Sequence, residues 1–111
     1  MTRTALVIGG GIAGSVAGVA LQRAGYQTVI HEAYETSADG VGAFLGLGLN
    51  GVAALRALDM DAGVLARGFE TPRMVISNGR GRVLADFPNG GALPDGTLAL
   101  TISRAASANA A

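Results

Sequence analysis

The sequence lacks several features on which common functions depend. It contains no cysteine, so it can form no disulfide bond or reactive thiolate. Cysteine content therefore does not indicate whether the protein works in a reducing or an oxidising compartment. His31 is the only histidine, which leaves too few strong ligands for a typical transition-metal site. The 8 basic and 8 acidic residues balance to a formal net charge of zero. Without a basic excess, the sequence predicts neither nucleic acid nor an anionic membrane as a partner.

A long uninterrupted hydrophobic segment is also missing. Residues 5–21 carry no charge and follow Arg3, so they superficially resemble a targeting or membrane segment. Three consecutive glycines would break a hydrophobic helix there, and the stretch is shorter than the roughly 20 residues of a membrane span. The chain has 111 residues, half of them hydrophobic, and we expect one small domain in the cytoplasm.

Glycine, by contrast, is abundant, and three glycines form a motif near the start of the chain. Gly9, Gly11 and Gly14 fit the pattern G-x-G-x-x-G directly after a short apolar run. In this pattern the first glycine allows a sharp turn, the second leaves room for a pyrophosphate, and the third lets the helix approach the strand. The N–H groups of the first helical turn, which contains Ile12 and Ala13, then face the phosphates. The motif predicts a dinucleotide-binding strand, turn and helix.

The context of the motif matters, because 18 glycines make chance matches frequent. Small and apolar residues continue a helical stripe until Ala24-Gly25, which predicts the end of the helix. Residues 26–32 predict a second strand ending in Glu32. Glu32 lies 18 residues after Gly14, close to the sequence spacing at which an acidic residue binds the ribose in a βαβ unit. His31 would then point to the opposite face, as an ordinary packed or surface histidine. The alternative is a glycine-rich turn with a solvated acid.

The rest of the chain predicts shorter elements. Residues 40–51 carry five glycines, a pattern for which a flexible loop is one of the interpretations left open, and Asn50 is expected to cap the next helix. That helix should break at Asp59. Residues 73–87 predict a β-hairpin around Asn78-Gly79, followed by an exposed loop over residues 88–96 and one more strand over residues 98–102.

The segments VIGGGIAG and VIHEA resemble the start of FAD-dependent monooxygenases of the aromatic-hydroxylase (p-hydroxybenzoate hydroxylase-like) family. GVGAFLGLGLNGVAAL, GRVLADF and TISRA are similar to later segments of that family. The resemblance implies an α/β fold, with a Rossmann-like βαβ FAD-binding unit, a following helix and a β-hairpin, incomplete relative to the family. Residues 1–70 would be the N-terminal part of the FAD-binding domain. Residues 71–96 would begin the substrate-domain sheet, and residues 97–111 would form a return strand and a truncated tail.

The resemblance also implies a function for a complete enzyme. Such an enzyme binds FAD, accepts hydride from NADH or NADPH, and hydroxylates an aromatic or related organic substrate with O2. The glycine-rich segment of residues 40–51 would run beside the flavin. No residue stands out as a catalytic acid, base or nucleophile, and no metal is expected. The cofactor-binding residues that this sequence predicts are Gly9, Gly11, Ile12, Ala13, Gly14, Glu32, Ala33 and Arg104.

Two of those residues raise questions. Ala33 stands where the family often has a basic residue, so a cationic contact to the adenosine is lost. Arg104 matches a family arginine near the cofactor, and a solvated arginine in a tail fits the sequence equally well. Residues 105–111 carry no charge and no large apolar side chain, so we expect their amides to exchange rapidly.

Parts of the family pattern are absent, including the second cofactor motif around a Gly-Asp pair and a later Asp-Gly segment. We therefore expect the N-terminal portion of such an enzyme, with weak or no FAD retention and no NAD(P)H-dependent oxygen uptake. The missing C-terminal portion is a candidate partner. One alternative is an NAD-binding or other flavin oxidoreductase with the same βαβ unit. Another is a non-enzymatic dinucleotide-binding fragment that needs a partner chain.

Overall fold

The computed structural model describes residues 1–35 and 43–103, which form a mixed α/β structure as expected. None of the helices in these two ranges is long and apolar enough to cross a membrane. The elements, in chain order, are β1 (Arg3–Ile8), α1 (Ile12–Arg23), β2 (Tyr26–His31), β3 (Phe44–Leu47), α2 (Leu49–Ala57), α3 (Asp61–Arg67), β4 (Phe69–Glu70), β5 (Arg73–Ser77), β6 (Val83–Pro88) and β7 (Leu100–Ser103).

The N-terminal part is the predicted βαβ unit. Strands β1 and β2 pair in parallel, from Arg3 opposite Tyr26 to Ile8 opposite His31. Helix α1 connects them and lies on one face of the pair, where a Cβ atom at Gly18 would stand 2.9 Å from Cδ1 of Ile30. The helix ends as the sequence predicts, since Ala24 is its C-cap and the following glycine has a φ of +88°.

The apolar core lies in a second unit, formed by α2, α3 and a three-stranded antiparallel sheet. The strand order in that sheet is β3-β7-β4, so the predicted strand near residues 98–102 is its central strand, β7. Val52 and Val64 on the helices pack in one buried cluster with Leu100 and Ile102 of β7. Because alternate residues of a strand share a face, Leu100 and Ile102 point together into the helices.

The glycine-rich segment of residues 40–51 contains strand β3, which pairs with β7, so a flexible loop does not describe all of it. The prediction for Asn50 was wrong, because the N-cap of α2 is Gly48 and the helix begins at Leu49. The Asn50 side chain still accepts a first-turn N–H, that of Gly51 at 2.9 Å, but from inside the helix.

One arginine joins the helices of this unit to the loop of residues 88–97. The Arg56 guanidinium donates to the carboxylates of Asp61 and Asp95, both at 2.8 Å, and to the hydroxyl of Thr97 at 3.2 Å. Hydrogen bonds from the Thr97 hydroxyl and backbone N–H hold the pKa of Asp95 below its usual value, and Arg56 adds to this effect. The loop is exposed, as expected, and it is anchored through charged groups.

The predicted break between the helices falls at Asp59, which has a φ of +55°. No other residue except glycine has a positive φ within the two described ranges. Its carboxylate lies 2.9 Å from Nη2 of Arg23 in the last turn of α1. This ion pair connects the βαβ unit to the helices of the second unit.

Substitutions at Asp59 separate the backbone strain from the ion pair. We expect Asp59→Gly to remain within about 1 kcal/mol of the parent, because glycine adopts a positive φ freely and an exposed ion pair contributes only ~0–1 kcal/mol. Asp59→Ala should be less stable than Asp59→Gly by about 1 kcal/mol, since both variants lose the ion pair and only alanine is strained at the positive φ. Urea unfolding of both variants measures the difference, and an alanine variant as stable as the glycine variant would contradict it.

The predicted hairpin is present as β5 and β6, but its turn differs in detail. The side chain of Asn78 accepts the N–H groups of Arg80 and Arg82, both at 3.0 Å. The left-handed residue is Gly81, with a φ of +80°, and not Gly79. The two strands form a sheet of their own. An isolated hairpin is only marginally stable, so this element depends on whatever covers it.

Large apolar side chains remain exposed on two sheets. On β1 and β2, Leu6, Ile8 and Val29 lie on the face away from α1, and Ile8 is 80% exposed. On the hairpin, cross-strand pairing places Met74 beside Phe87, and both are more than 40% exposed. The radius of gyration is 16.8 Å, whereas a compact domain of this length has about 13 Å. The chain is therefore more extended than a compact domain of its length, and these apolar faces are not packed against one another.

Candidate functional site

The glycine motif forms the connection between β1 and α1. Gly9 follows the strand with a φ of +103°, a left-handed conformation that glycine adopts without steric penalty. Its N–H donates to the backbone oxygen of His31 at 2.7 Å, which ties the turn to the end of β2. The predicted sharp turn at Gly9 is confirmed.

Gly14 brings the helix against this turn. A Cβ atom at Gly14 would overlap the carbonyl oxygen of Gly9, and it would stand 2.9 Å from the carbonyl carbon and 3.4 Å from Cγ1 of Val7. The predicted close approach of helix and strand at Gly14 is confirmed, because no residue with a side chain fits there without moving the backbone.

Gly11, in contrast, faces open space. It is the N-cap of α1, with a φ of −72° and a ψ of −163°, and nothing lies within 4 Å of the position of its Cβ atom. The first α-helical hydrogen bond runs from the N–H of Ser15 to the oxygen of Gly11 at 3.0 Å. The N–H groups of Ile12, Ala13 and Gly14 therefore have no acceptor along the helix, and α1 has no acidic residue in its first turn. These free donors, with the positive end of the helix dipole, suit an anion.

Glu32 lies beside the loop, directly after β2. One carboxylate oxygen, Oε2, accepts the N–H of Gly10 at 2.6 Å, and the other, Oε1, accepts the N–H of Tyr34 at 3.2 Å. The N–H of Gly10, and to a lesser extent that of Tyr34, holds the pKa of Glu32 below its usual value. The side chain is exposed and ionised at neutral pH, so it offers a negatively charged acceptor next to the open loop.

Two predicted site residues remain, Ala33 and Arg104. Ala33 follows Glu32, is exposed and offers no side-chain donor or acceptor. Arg104 and the tail of residues 105–111 lie outside the described residues.

His31 is exposed on β2. The sequence predicted either a packed or a surface position for it, and the structure has the surface position. Gly10 was absent from the predicted site, although an acid near a run of three glycines is a signal that could have identified it.

A separate cleft of about 380 Å³ lies where β3 and β7 meet the start of the hairpin. Gly46, Leu47 and Gly48 supply one wall, and Arg73 and Met74 stand among the residues of the other side. The wall belongs to the glycine-rich segment that the family resemblance places beside the flavin. The cleft has polar and apolar lining residues, and nothing lies within 4 Å of the Cβ position of Gly46, whereas Oδ1 of Asn50 lies 2.9 Å from that of Gly48.

Comparison with curated proteins identifies a monooxygenase. Over 85 residues the chain is 39% identical to the aurachin C monooxygenase/isomerase of Stigmatella aurantiaca. The aligned part is 77% of this chain and 22% of that protein. No protein-family profile matches the sequence.

Solved structures give the same result for the fold. The chain matches 2-methyl-3-hydroxypyridine-5-carboxylic acid oxygenase with a TM-score of 0.80 and 25% identity, over 99% of this chain and 28% of that one. It matches HpxO of Klebsiella pneumoniae, solved with FAD and uric acid, with a TM-score of 0.74 and 26% identity, over 96% and 27%. A third match, p-nitrophenol 4-monooxygenase PnpA of Pseudomonas putida, has a TM-score of 0.75 and 18% identity, and covers 99% of this chain and 27% of that one. Because its identity is so low, this third match supports the fold alone.

These matches confirm two predictions from the sequence. The chain resembles the N-terminal portion of FAD-dependent monooxygenases, and its α/β fold is that of their FAD-binding part. It spans between 22% and 28% of the length of these relatives.

Proposed function

We propose that this chain is the FAD-binding N-terminal portion of a flavin-dependent monooxygenase that hydroxylates an aromatic or related organic substrate. The observation that carries the proposal is the open glycine loop with free helix N–H groups on one side and the Glu32 carboxylate on the other. The relatives support it, since the curated relative and the pyridinecarboxylic acid enzyme are oxygenases by name and HpxO was solved with FAD.

The site suits the two ends of an adenosine diphosphate group. The N–H groups of Ile12, Ala13 and Gly14 would donate to the pyrophosphate, and Gly11 would leave room for it. The Glu32 carboxylate would accept from the ribose hydroxyls, and Ala33 would stand beside the adenosine without a charged contact. Arg104 is proposed as a flavin-side contact on the family resemblance alone.

The flavin ring is proposed to lie toward the cleft of β3 and β7, where the open space at Gly46 would allow a flat ring to approach the backbone. When bound, FAD would supply the redox chemistry, taking hydride from NADH or NADPH and activating O2. The described residues would bind and orient FAD. Among them we find no arrangement suited to catalytic proton transfer.

We further propose that the chain works together with a C-terminal portion, in the same polypeptide or a separate one. The exposed apolar face with Leu6, Ile8 and Val29 supports this, as does the hairpin face with Met74 and Phe87. The short coverage of the relatives points the same way. An uncovered sheet and an incomplete cofactor pocket would leave the 111-residue chain alone inactive as an oxygenase.

The cofactor of the purified chain tests this proposal. Titration with FAD should change flavin fluorescence as FAD binds, and NAD⁺ should bind no more tightly than FAD. After gel filtration we expect little retained flavin and no NAD(P)H-dependent oxygen uptake, because few contacts hold the flavin end. Co-expression with the C-terminal portion of a relative should increase retention. Binding of NAD⁺ in preference to FAD would contradict the FAD assignment. Stoichiometric flavin with turnover in the chain alone would contradict the proposed incompleteness.

A further inference from the structure

Glu32 makes a contact that binding of a ribose does not require. Its Oε2 atom accepts the N–H of Gly10 at 2.6 Å, across 22 positions of sequence. A carboxylate that accepts a backbone N–H forms a charge-assisted hydrogen bond, which is stronger than a neutral one. Its Oε1 atom accepts the N–H of Tyr34 at 3.2 Å, which orients the carboxylate from the other side. The side chain therefore connects the glycine loop to the segment after β2.

Gly10 is adapted to this contact. Its φ does not lie in the left-handed region, so its backbone conformation alone does not require glycine. A Cβ atom there would stand 3.1 Å from Oε2 of Glu32 and 3.3 Å from its Cβ, closer than ordinary van der Waals contact. The middle glycine of the run is thus explained by the side chain that lies against it.

We propose that Glu32 is a positioning residue that holds the glycine loop in its binding conformation before a nucleotide arrives. Three successive glycines lose much conformational freedom on ordering, so the loop needs tethers. Three hydrogen bonds serve as tethers: the Gly9 N–H donates to the His31 oxygen, the Ser15 hydroxyl to the Gly10 oxygen at 3.3 Å, and the Gly10 N–H to Glu32.

The same carboxylate can hold the loop and the ribose together. A carboxylate has about four acceptor positions, and backbone N–H groups of Gly10 and Tyr34 occupy two of them. Acceptor capacity therefore remains for ribose hydroxyls. Within the described ranges no basic side chain forms an ion pair with Glu32, and the titratable neighbours along the chain are His31, Tyr34 and Glu35. The loop would thus be preformed through backbone groups, which reduces the ordering that FAD binding must supply.

The first test needs no cofactor. In the 111-residue chain, the NMR signal of the Gly10 amide should shift on acidification with a midpoint below the usual glutamate value. The N–H of Gly10 holds the Glu32 pKa low, so the contact is present at neutral pH and is lost only as pH falls through that lowered pKa. Glu32→Gln should abolish this titration while keeping part of the exchange protection, because the amide oxygen still accepts. Glu32→Ala should reduce protection by about tenfold, because the N–H of Gly10 then loses its side-chain acceptor. Glu35→Gln is the matched control and should change neither property.

The second test uses FAD and depends on the proposed function. Glu32→Ala and Gly10→Ala should each weaken binding of FAD, by about tenfold and a few-fold respectively. The double variant should be no worse than Glu32→Ala, because both changes remove the same contact. Independent, multiplicative losses would show that the contact does not position the loop. Circular dichroism shows that each variant folds, and Glu32→Gln replaces Glu32→Ala if the latter does not.

The two tests separate the two proposals. If Glu32→Ala leaves protection of the Gly10 amide unchanged while FAD still binds the parent, the positioning role is wrong and the cofactor assignment stands. If the amide responds as expected while FAD does not bind the parent, the positioning of the loop stands and the FAD assignment is wrong.

Discussion

Gly14→Ala is expected to destabilise the folded chain by about 3 kcal/mol, enough to unfold a marginal domain. The added Cβ atom would overlap the carbonyl oxygen of Gly9 and crowd Cγ1 of Val7. Both neighbours belong to the strand and its turn, so the overlap is relieved only if α1 moves away from β1. The loss should appear in urea unfolding followed by circular dichroism.

Gly11→Ala is the matched control, three residues earlier in the same motif. Its Cβ atom would meet nothing within 4 Å, and a φ of −72° suits alanine. We expect its stability to stay within about 1 kcal/mol of the parent, since replacing an N-cap glycine by alanine has a modest effect. Equal destabilisation by the two alanines would contradict the close approach of helix and strand at Gly14.

Gly11→Val should produce the largest loss of cofactor affinity, about a hundredfold or more, which corresponds to roughly 2.7 kcal/mol. The branched side chain would fill the open space in front of the first turn of α1, where the pyrophosphate is proposed to lie. The left-handed residue of the turn is Gly9, so valine can adopt the extended backbone of Gly11. The loss would therefore come from the volume of the side chain and not from misfolding.

Glu32→Gln provides the comparison and should weaken FAD binding by only a few-fold, less than Glu32→Ala, because its amide oxygen retains one acceptor. Titration of flavin fluorescence measures both affinities, with circular dichroism as the control for folding. Should Gly11→Val bind FAD as tightly as the parent, the residues of the glycine run do not form a pyrophosphate loop. The proposed function would then fail at its central observation.

The parts of the fold that the sequence predicts are those with a local signal. The βαβ unit combines a glycine motif, a helical stripe with its C-terminal glycine, and a strand, all within 31 residues. The hairpin was predicted because its two strands flank a turn sequence. Its turn was wrong in detail, since Asn78 organises it through the N–H groups of Arg80 and Arg82, and Gly81 takes the left-handed conformation.

The strands that the sequence did not predict have pairing partners that are distant along the chain. Strand β3 contains Gly46 and sits in a glycine-rich segment, so its local pattern is typical of a loop. It is a strand because Phe44 pairs with Ser103 and Leu47 with Leu100, more than 50 positions away. Strand β4 has only two residues and also depends on β7. No local propensity predicts such strands, because cross-strand contacts stabilise them.

For the site, local sequence was enough to predict the turn, the close approach at Gly14 and the presence of an acid after β2. These follow from the spacing of glycines and the length of a βαβ unit, which are local constraints. Two further features depend on how the chain folds: Glu32 accepts the N–H of Gly10, and the core lies under β7 instead of under β1. A contact between groups 22 positions apart depends on how the parallel strands align, and burial depends on which faces find partners. Neither property is encoded in a short stretch of sequence.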